Sequence, residues 1–357
     1  MNIMNQVTKI YNQIHHAMMR PLKNTRIDEQ HWGLRITSAV IVLLVILQLV
    51  FGFLWNSEPD EFNVVQHAGN LSAQHNEDMV TGYITTATLI RVAESMLDKP
   101  GGYLSNDVMP PGLFMDNIPN WEFGVLSQVR DLSLVMRNDF SRSQSQSVED
   151  KDLVSAENQF RINNESWLLP SAESEYRKAI DNLNSYLHRL TDDDQQDAQF
   201  YSRADNLNNW LAQIEKRLGS LSQRLSASVG QARLNTDLAG DAEAQQSTPS
   251  AKIIEVKTPW MEIDDVFYEA RGSAWALSHL LKAAEVDFQD ILQKKNAQVS
   301  LQQIIRELDS TQATIWSPFI LNGGGFGFFA NHSLVMANYI SRANAAVIDL
   351  RNLLSQG

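Results

Sequence analysis

The chain contains no cysteine. That absence excludes disulfide frameworks, thiolate metal sites and cysteine nucleophiles together. Basic residues are in deficit, 29 Lys and Arg against 42 Asp and Glu, for a net charge of −13. Such an acidic surface does not release counterions from phosphates, so nucleic-acid wrapping is excluded. The sequence holds no H-E-x-x-H zinc motif, no Gly-Lys-Ser/Thr of a Walker loop and no G-x-S-x-G elbow. His67, His75, His188, His279 and His332 are scattered along the chain. No catalytic residue, cofactor or metal site is therefore expected. The alternating pattern of strands is also nearly missing, with only Ile253–Lys257 suited to pairing.

What is present is an uninterrupted apolar run, TSAVIVLLVILQLVFGFLW, from Thr37 to Trp55, with no charged residue and one amide, Gln48. At 1.5 Å per residue it covers about 28 Å, the hydrocarbon thickness of a bilayer. Trp32 and Trp55 flank it as interfacial aromatics. Lys9, Arg20, Lys23, Arg26 and Arg35 precede it against only Asp28 and Glu29, whereas Glu58, Asp60, Glu61, Glu77 and Asp78 follow. This asymmetry predicts a cytoplasmic N-terminus and an exported remainder, periplasmic in a bacterium. Asn56-Ser57-Glu58-Pro59 offers no small-x-small cleavage pattern, so the run reads as a signal anchor. Within residues 1–36, Val7, Ile10, Ile14, Ala17 and Met18 form an apolar stripe suited to the inner leaflet or to a partner.

The exported part reads as helix after helix. Phe200, Ala204, Leu207, Leu211, Ile214, Leu218, Leu221 and Leu225 alternate spacings of four and three. Ile263 through Ile291, Tyr176 through Leu190 and Met336 through Leu354 repeat the pattern. A period of 3.5 places each set on one stripe that must be buried against another helix, in the same chain or in a second copy. Thr258-Pro259 reads as an N-cap with an N1 proline, Ser300-x-x-Gln303 and Ser147-x-x-Asp150 as capping boxes, and Asn120 as the N-cap of WEFGVLSQ. Further helices are expected at about 76–98 and 121–140. The expected fold is all-α: a single N-terminal transmembrane helix, 37–55, followed by an elongated antiparallel helical bundle with heptad-type packing. The bundle divides into 56–230, a flexible connection at 231–258, and 259–357.

Residues 98–120 break the rhythm with four prolines and three glycines, yet retain Tyr103, Leu104, Leu113, Phe114, Met115 and Ile118. An ordered loop of this length inside a compact domain is commonly functional. The run from YLSNDVMPPGLFMDNIPNWEFG to SRSQS, with the anchor and ESWLLPSAESEY, resembles a bacterial membrane-anchored family, domain of unknown function 2333. The PPG…DNxPxWEFG stretch is the most specific part. The resemblance implies a proteobacterial inner-membrane protein and carries over no activity and no catalytic residue.

The stretch LNGGGFGFFANHS, Leu321 to Ser333, fits G-x-G-x-x-A spacing at Gly325, Gly327 and Ala330. A dinucleotide site also needs a preceding strand within a βαβ unit, which this sequence lacks. The glycines instead turn a helical hairpin. Phe326, Phe328 and Phe329 then either tuck beneath the bundle or form an apolar tip. Glu94-Ser95 and Glu165-Ser166 match the Glu-Ser start of helical lytic transglycosylases, without that family's downstream motifs. The expected function is an inner-membrane-anchored periplasmic scaffold or adaptor acting by protein contact through Met115, Trp121, Phe326, Phe328 and Phe329. Its expected partners are the inner membrane, other envelope proteins and, through the seams, a second copy. The alternative is an envelope enzyme, or a lipid- or peptidoglycan-binding protein, with a pocket under the 98–120 loop.

Overall fold

The computed structural model describes residues 32–143, 147–192, 197–234, 253–317, 319–324 and 327–356. The amphipathic stripe expected in the first twenty residues and most of the 231–258 connection lie outside them. The chain divides into two units, Met1–Val50 and Phe51–Gly357. Helix α1, Trp32–Trp55, is long and apolar enough to cross a membrane, and none of its residues is buried.

The second unit, the body, carries ten α-helices among the described residues. They are α2 (Val64–His75), α3 (Tyr83–Asp98), α4 (Asn117–Val135), α5 (Lys151–Phe160) and α6 (Ala172–Leu190), then α7 (Ala204–Ser226), α8 (Ile263–Asp287), α9 (Gln289–Lys294), α10 (Gln298–Ser310) and α11 (His332–Ser355). The two strands, β1 (Gln231–Leu234) and β2 (Ile253–Val256), pair antiparallel with Gln231 opposite Val256. The IIEV pairing foreseen from sequence is thus made with the start of the connection.

The heptad stripes are buried within one chain. Leu207, Leu211, Ile214, Leu218, Leu221 and Leu225 of α7 are buried, as are Met336, Ile340, Ala343, Val347, Leu350 and Leu354 of α11. The two helices run antiparallel, because Asn208 and Glu215 meet Arg351 while Ser222 meets Ala337. Asp287 at the end of α8 accepts from Gly82 and Thr85 at the start of α3. Arg177 near the start of α6 meets Asp98 at the end of α3, 2.7 Å away. Consecutive helices alternate as well: Arg130 of α4 meets Phe160 and Arg137 just beyond it meets Glu157 of α5, Asn182 and Ser185 of α6 meet Gln159 and Asp152 of α5, and Arg224 near the end of α7 meets Glu269 near the start of α8.

The most closely packed pair departs from the antiparallel expectation. Helices α4 and α8 run parallel: Asn120 meets Asp265, Gly124 meets Glu269, and Gln128 meets Ser273. Alternation along the chain makes non-consecutive helices parallel wherever an even number of reversals separates them. The two backbones touch because two glycines face each other's helix. A Cβ at Gly124 would stand 2.1 Å from the Glu269 carbonyl oxygen, and one at Gly272 would stand 2.1 Å from that of Trp121.

Several helix starts differ from expectation. Asp116, not Asn120, caps α4, accepting from the Asn117 amide. Asp150 caps α5 by accepting from Asp152 and Leu153, where Ser147 was expected. Ser300 lies inside α10, which begins at Gln298. A 3-10 turn over Trp260–Glu262 separates Pro259 from α8.

His279 joins the core to the chain leaving α1. Its Nε2 accepts from the Phe62 amide at 3.1 Å and its Nδ1 meets the Trp275 carbonyl at 2.8 Å, which fixes a neutral ring with the proton on Nδ1. Burial, chiefly, lowers its pKa to about 4. A histidine with a folded pKa below its unfolded value of 6.5 stabilises the fold above pH 6.5, and that contribution is lost as pH falls towards 4. The full effect is roughly 3 kcal/mol. Urea titrations of wild type and His279→Gln between pH 7 and 4 should show a smaller acid loss of stability in the variant. In the same assay Gly124→Val should cost about 3 kcal/mol, because backbone rather than side-chain atoms block the added carbons. Gly219→Ala on α7, where a Cβ meets only Asn344 at an ordinary 3.6 Å, should gain about 0.5–1 kcal/mol.

Candidate functional site

The alternating helices bring four connections to one end of the body, as far as they are described: 99–116, 161–171, 227–234 with 253–262, and 311–317 with 319–324 and 327–331. Asn106 donates to the Ser166 carbonyl, Asn120 to Asp265, and the Thr258 amide to the Ala227 carbonyl. The last turn of α1, which belongs to the body from Phe51 onward, lies at this same end. A Cβ at Gly101 would stand 2.6 Å from Trp55 Cγ, and the Cβ of Pro111 is 3.8 Å from where Gly52 would carry one.

The loop from Lys99 to Asp116 is built on a buried ion pair. Lys99 Nζ lies 2.6 Å from Glu122 Oε1, and both side chains are fully buried. Lys99 also donates to the Gly102 carbonyl, closing the first turn of the loop. Glu122 accepts from the Leu104 amide at 2.9 Å, the Ser105 amide at 2.8 Å and the Ser105 hydroxyl. Burial pushes the Glu122 carboxyl pKa up; the Lys99 ammonium and these donors oppose that shift. Tyr103 packs edge-on against Tyr176 at 5.5 Å, so the first half of the loop is core. Beyond Asp107 the loop turns outward and exposes Val108, Met109, Leu113 and Phe114, the last at 77%. Next to it, Ser166 donates to the Pro170 carbonyl and accepts from the Ala172 amide, presenting Trp167, Leu168 and Leu169 to the outside. At the foot of α4, burial first, then Asp116, Asp264 and Glu262, push the Asp265 carboxyl up to about 6.

The glycine stretch forms the other part of this end. Arg271 on α8 is buried, with Nε on Glu58 at 2.7–2.8 Å and its remaining donors on the carbonyls of Thr311, Gln312 and Ala313. It thereby fixes both the segment after α1 and the entry to the loop. The loop closes as a short hairpin: Asn322 bridges Asn331, and the Leu321 carbonyl accepts from the His332 amide at 3.1 Å. The Leu321 amide donates to His332 Nδ1 at 3.0 Å, and burial lowers the pKa of that ring. Under the hairpin lies a cavity of about 480 Å³, with Phe267, Ile315, Trp316, Leu321, Val335 and Met336 among its walls. Trp316 in its wall is 92% exposed, and Phe319, Phe328 and Phe329 of the same chain stretch are exposed as well.

Residues 26–357 match the family described as an uncharacterized protein conserved in bacteria (DUF2333). The chain belongs to this family. No curated protein and no solved structure matches it. In this DUF2333 member four residues of the DNxPxWEFG stretch hold the fold. Asp116 caps α4, Trp121 fills the core against Trp275, Glu122 holds the loop, and Gly124 admits α8.

The residues expected to meet a partner separate accordingly. Phe328 and Phe329 are exposed, Met115 is half-buried, and Phe326 lies outside the described residues. Trp121 is fully buried, a correction to its expected place on a contact surface, because it lies on the face of α4 turned towards α8. The sequence reading missed Lys99, Glu122 and Arg271; a glutamate between two aromatics at a helix start was the available signal for the first pair. The histidines are also less scattered than they read. The ligand atoms of His75, Glu77 and His188 lie within 4.8 Å of one another, where Glu77 also accepts from the Tyr83 hydroxyl.

Removing one member of a buried pair leaves an uncompensated charge, at a cost of about 3–5 kcal/mol. Glu122→Gln should therefore lower stability to urea by about that amount. Combining it with Lys99→Met should restore part of the loss, since the amide oxygen still serves the Leu104 N–H while no charge remains buried.

Proposed function

We propose that this DUF2333 protein is a membrane-anchored scaffold of the bacterial envelope. Helix α1 is the anchor, the residues before it face the cytoplasm, and the helical body stands in the periplasm. The basic-before, acidic-after charge pattern around α1 supports that orientation. The body works by contact with another envelope protein, which places an apolar side chain in the cavity beneath the glycine hairpin.

The observation that carries this reading is the cavity lined by exposed Trp316, under a hairpin that also exposes Phe328 and Phe329 and is fixed at its entry by buried Arg271. Aromatic anchors around a desolvated pocket are the usual centre of a protein contact. An ordered loop also loses little conformational freedom on binding. The apolar lining suits an acyl chain as well, which makes lipid the alternative occupant.

A photoreactive phenylalanine analogue at Phe328, in intact cells, tests the proposal. The expected result is one discrete protein adduct, absent when the same analogue replaces Val148 and lost when Val335→Arg fills the cavity mouth. Capture of lipid alone, or an adduct unchanged by Val335→Arg, would overturn it.

A further inference from the structure

We propose that the Val108–Phe114 tip and the Trp167–Leu169 tip form a second membrane contact, inserting into the interface from which α1 emerges. The inference rests on α1 being a membrane anchor and is independent of the glycine hairpin.

Depth is the first argument. Pro111 at the crown of the first tip packs at the level of Gly52, three residues before Trp55. With a rise of 1.5 Å per residue, Gly52 sits about 4.5 Å deeper along the helix than Trp55. Tryptophan at the end of a spanning helix marks the headgroup level. A crown beside Gly52 is therefore at or below the headgroups.

Composition agrees. Val108–Met115 and Ser166–Ala172 contain no ionisable side chain. Met109, Phe114 and Leu169 are among the most exposed apolar residues of the body, with Leu169 at 89%. Trp167 adds an amphipathic ring suited to an interface. The two tips are tied at their bases by the Asn106–Ser166 hydrogen bond, and the first is held by the Lys99–Glu122 pair. Exposure of this kind on a fixed loop needs an occupant. By contrast, Val148 is 93% exposed and directly precedes Glu149, which meets Arg137 just past the far end of α4, about 30 Å from that helix's start.

The absence of native cysteine makes the test direct. Full-length Phe114→Cys, Leu169→Cys and Val148→Cys, each carrying an environment-sensitive fluorophore, are reconstituted into phosphatidylethanolamine–phosphatidylglycerol vesicles. The labels at 114 and 169 should emit at shorter wavelength than the label at 148. They should lose most of their emission to nitroxide-bearing lipids and resist aqueous iodide. A charged nitroxide at the same sites, read by oxygen against nickel accessibility, should give the same ranking and removes the label's own affinity for lipid from the result. Equal iodide quenching at all three sites, in protein whose thermal melt matches wild type, would overturn the proposal. That outcome includes the case in which a protein covers the patch only in cells.

Discussion

The proline-rich loop that exposes Met109 and Phe114 depends on one buried ion pair. Lys99 and Glu122 are both withdrawn from water, and neither is tolerable there alone. The pair persists because Glu122 also takes the amides of Leu104 and Ser105, and Lys99 takes the carbonyl of Gly102. These are backbone groups that a proline- and glycine-rich segment cannot satisfy through helix or sheet. The pair thus replaces missing secondary structure with side-chain hydrogen bonds. It turns a segment of unfavourable composition into a fixed platform from which apolar side chains project.

The second constraint is the parallel contact of α4 with α8. Glycines at 124 and 272 let the two backbones meet, and the N-termini of both helices consequently fall at the same end. Asn120, Asp116 and Asp265 gather there, and the raised Asp265 pKa reflects burial and that crowding. Alternation of the remaining helices then determines which loops share this end. Arg271 serves the glycine hairpin as Glu122 serves the proline loop, with a charged side chain spent on three consecutive carbonyls.

The regular part of this architecture was legible because heptad spacing states which face of a helix is buried. Leu207 to Leu225 and Met336 to Leu354 are buried as their spacing predicted. Helix ends were read less well, since Ser147, Asn120 and Ser300 carry capping chemistry but a neighbouring residue or a tertiary contact decided each start. Trp121 was misplaced for a related reason. It follows an irregular loop in sequence, yet a helix already under way turns it inward. The pairing of Lys99 with Glu122, and of His75 with His188, spans chain separations that no local pattern encodes.

Charge and apolar surface act in opposite senses at the α1 end. A body as acidic as this one is repelled by anionic headgroups, and that repulsion decays over roughly a Debye length, about 8 Å at physiological salt. Apolar burial has no such range; it acts only on contact. A body tethered at a distance would therefore be held off the surface by its charge. Here the chain is tied down within three residues of Trp55, where Glu58 meets Arg271, while Trp55 itself rests on Gly101. With no length of linker to let repulsion act, the apolar tips are brought within contact range. In the proposed membrane contact, the short connection after α1 is what would let an acidic domain keep an apolar face towards the bilayer.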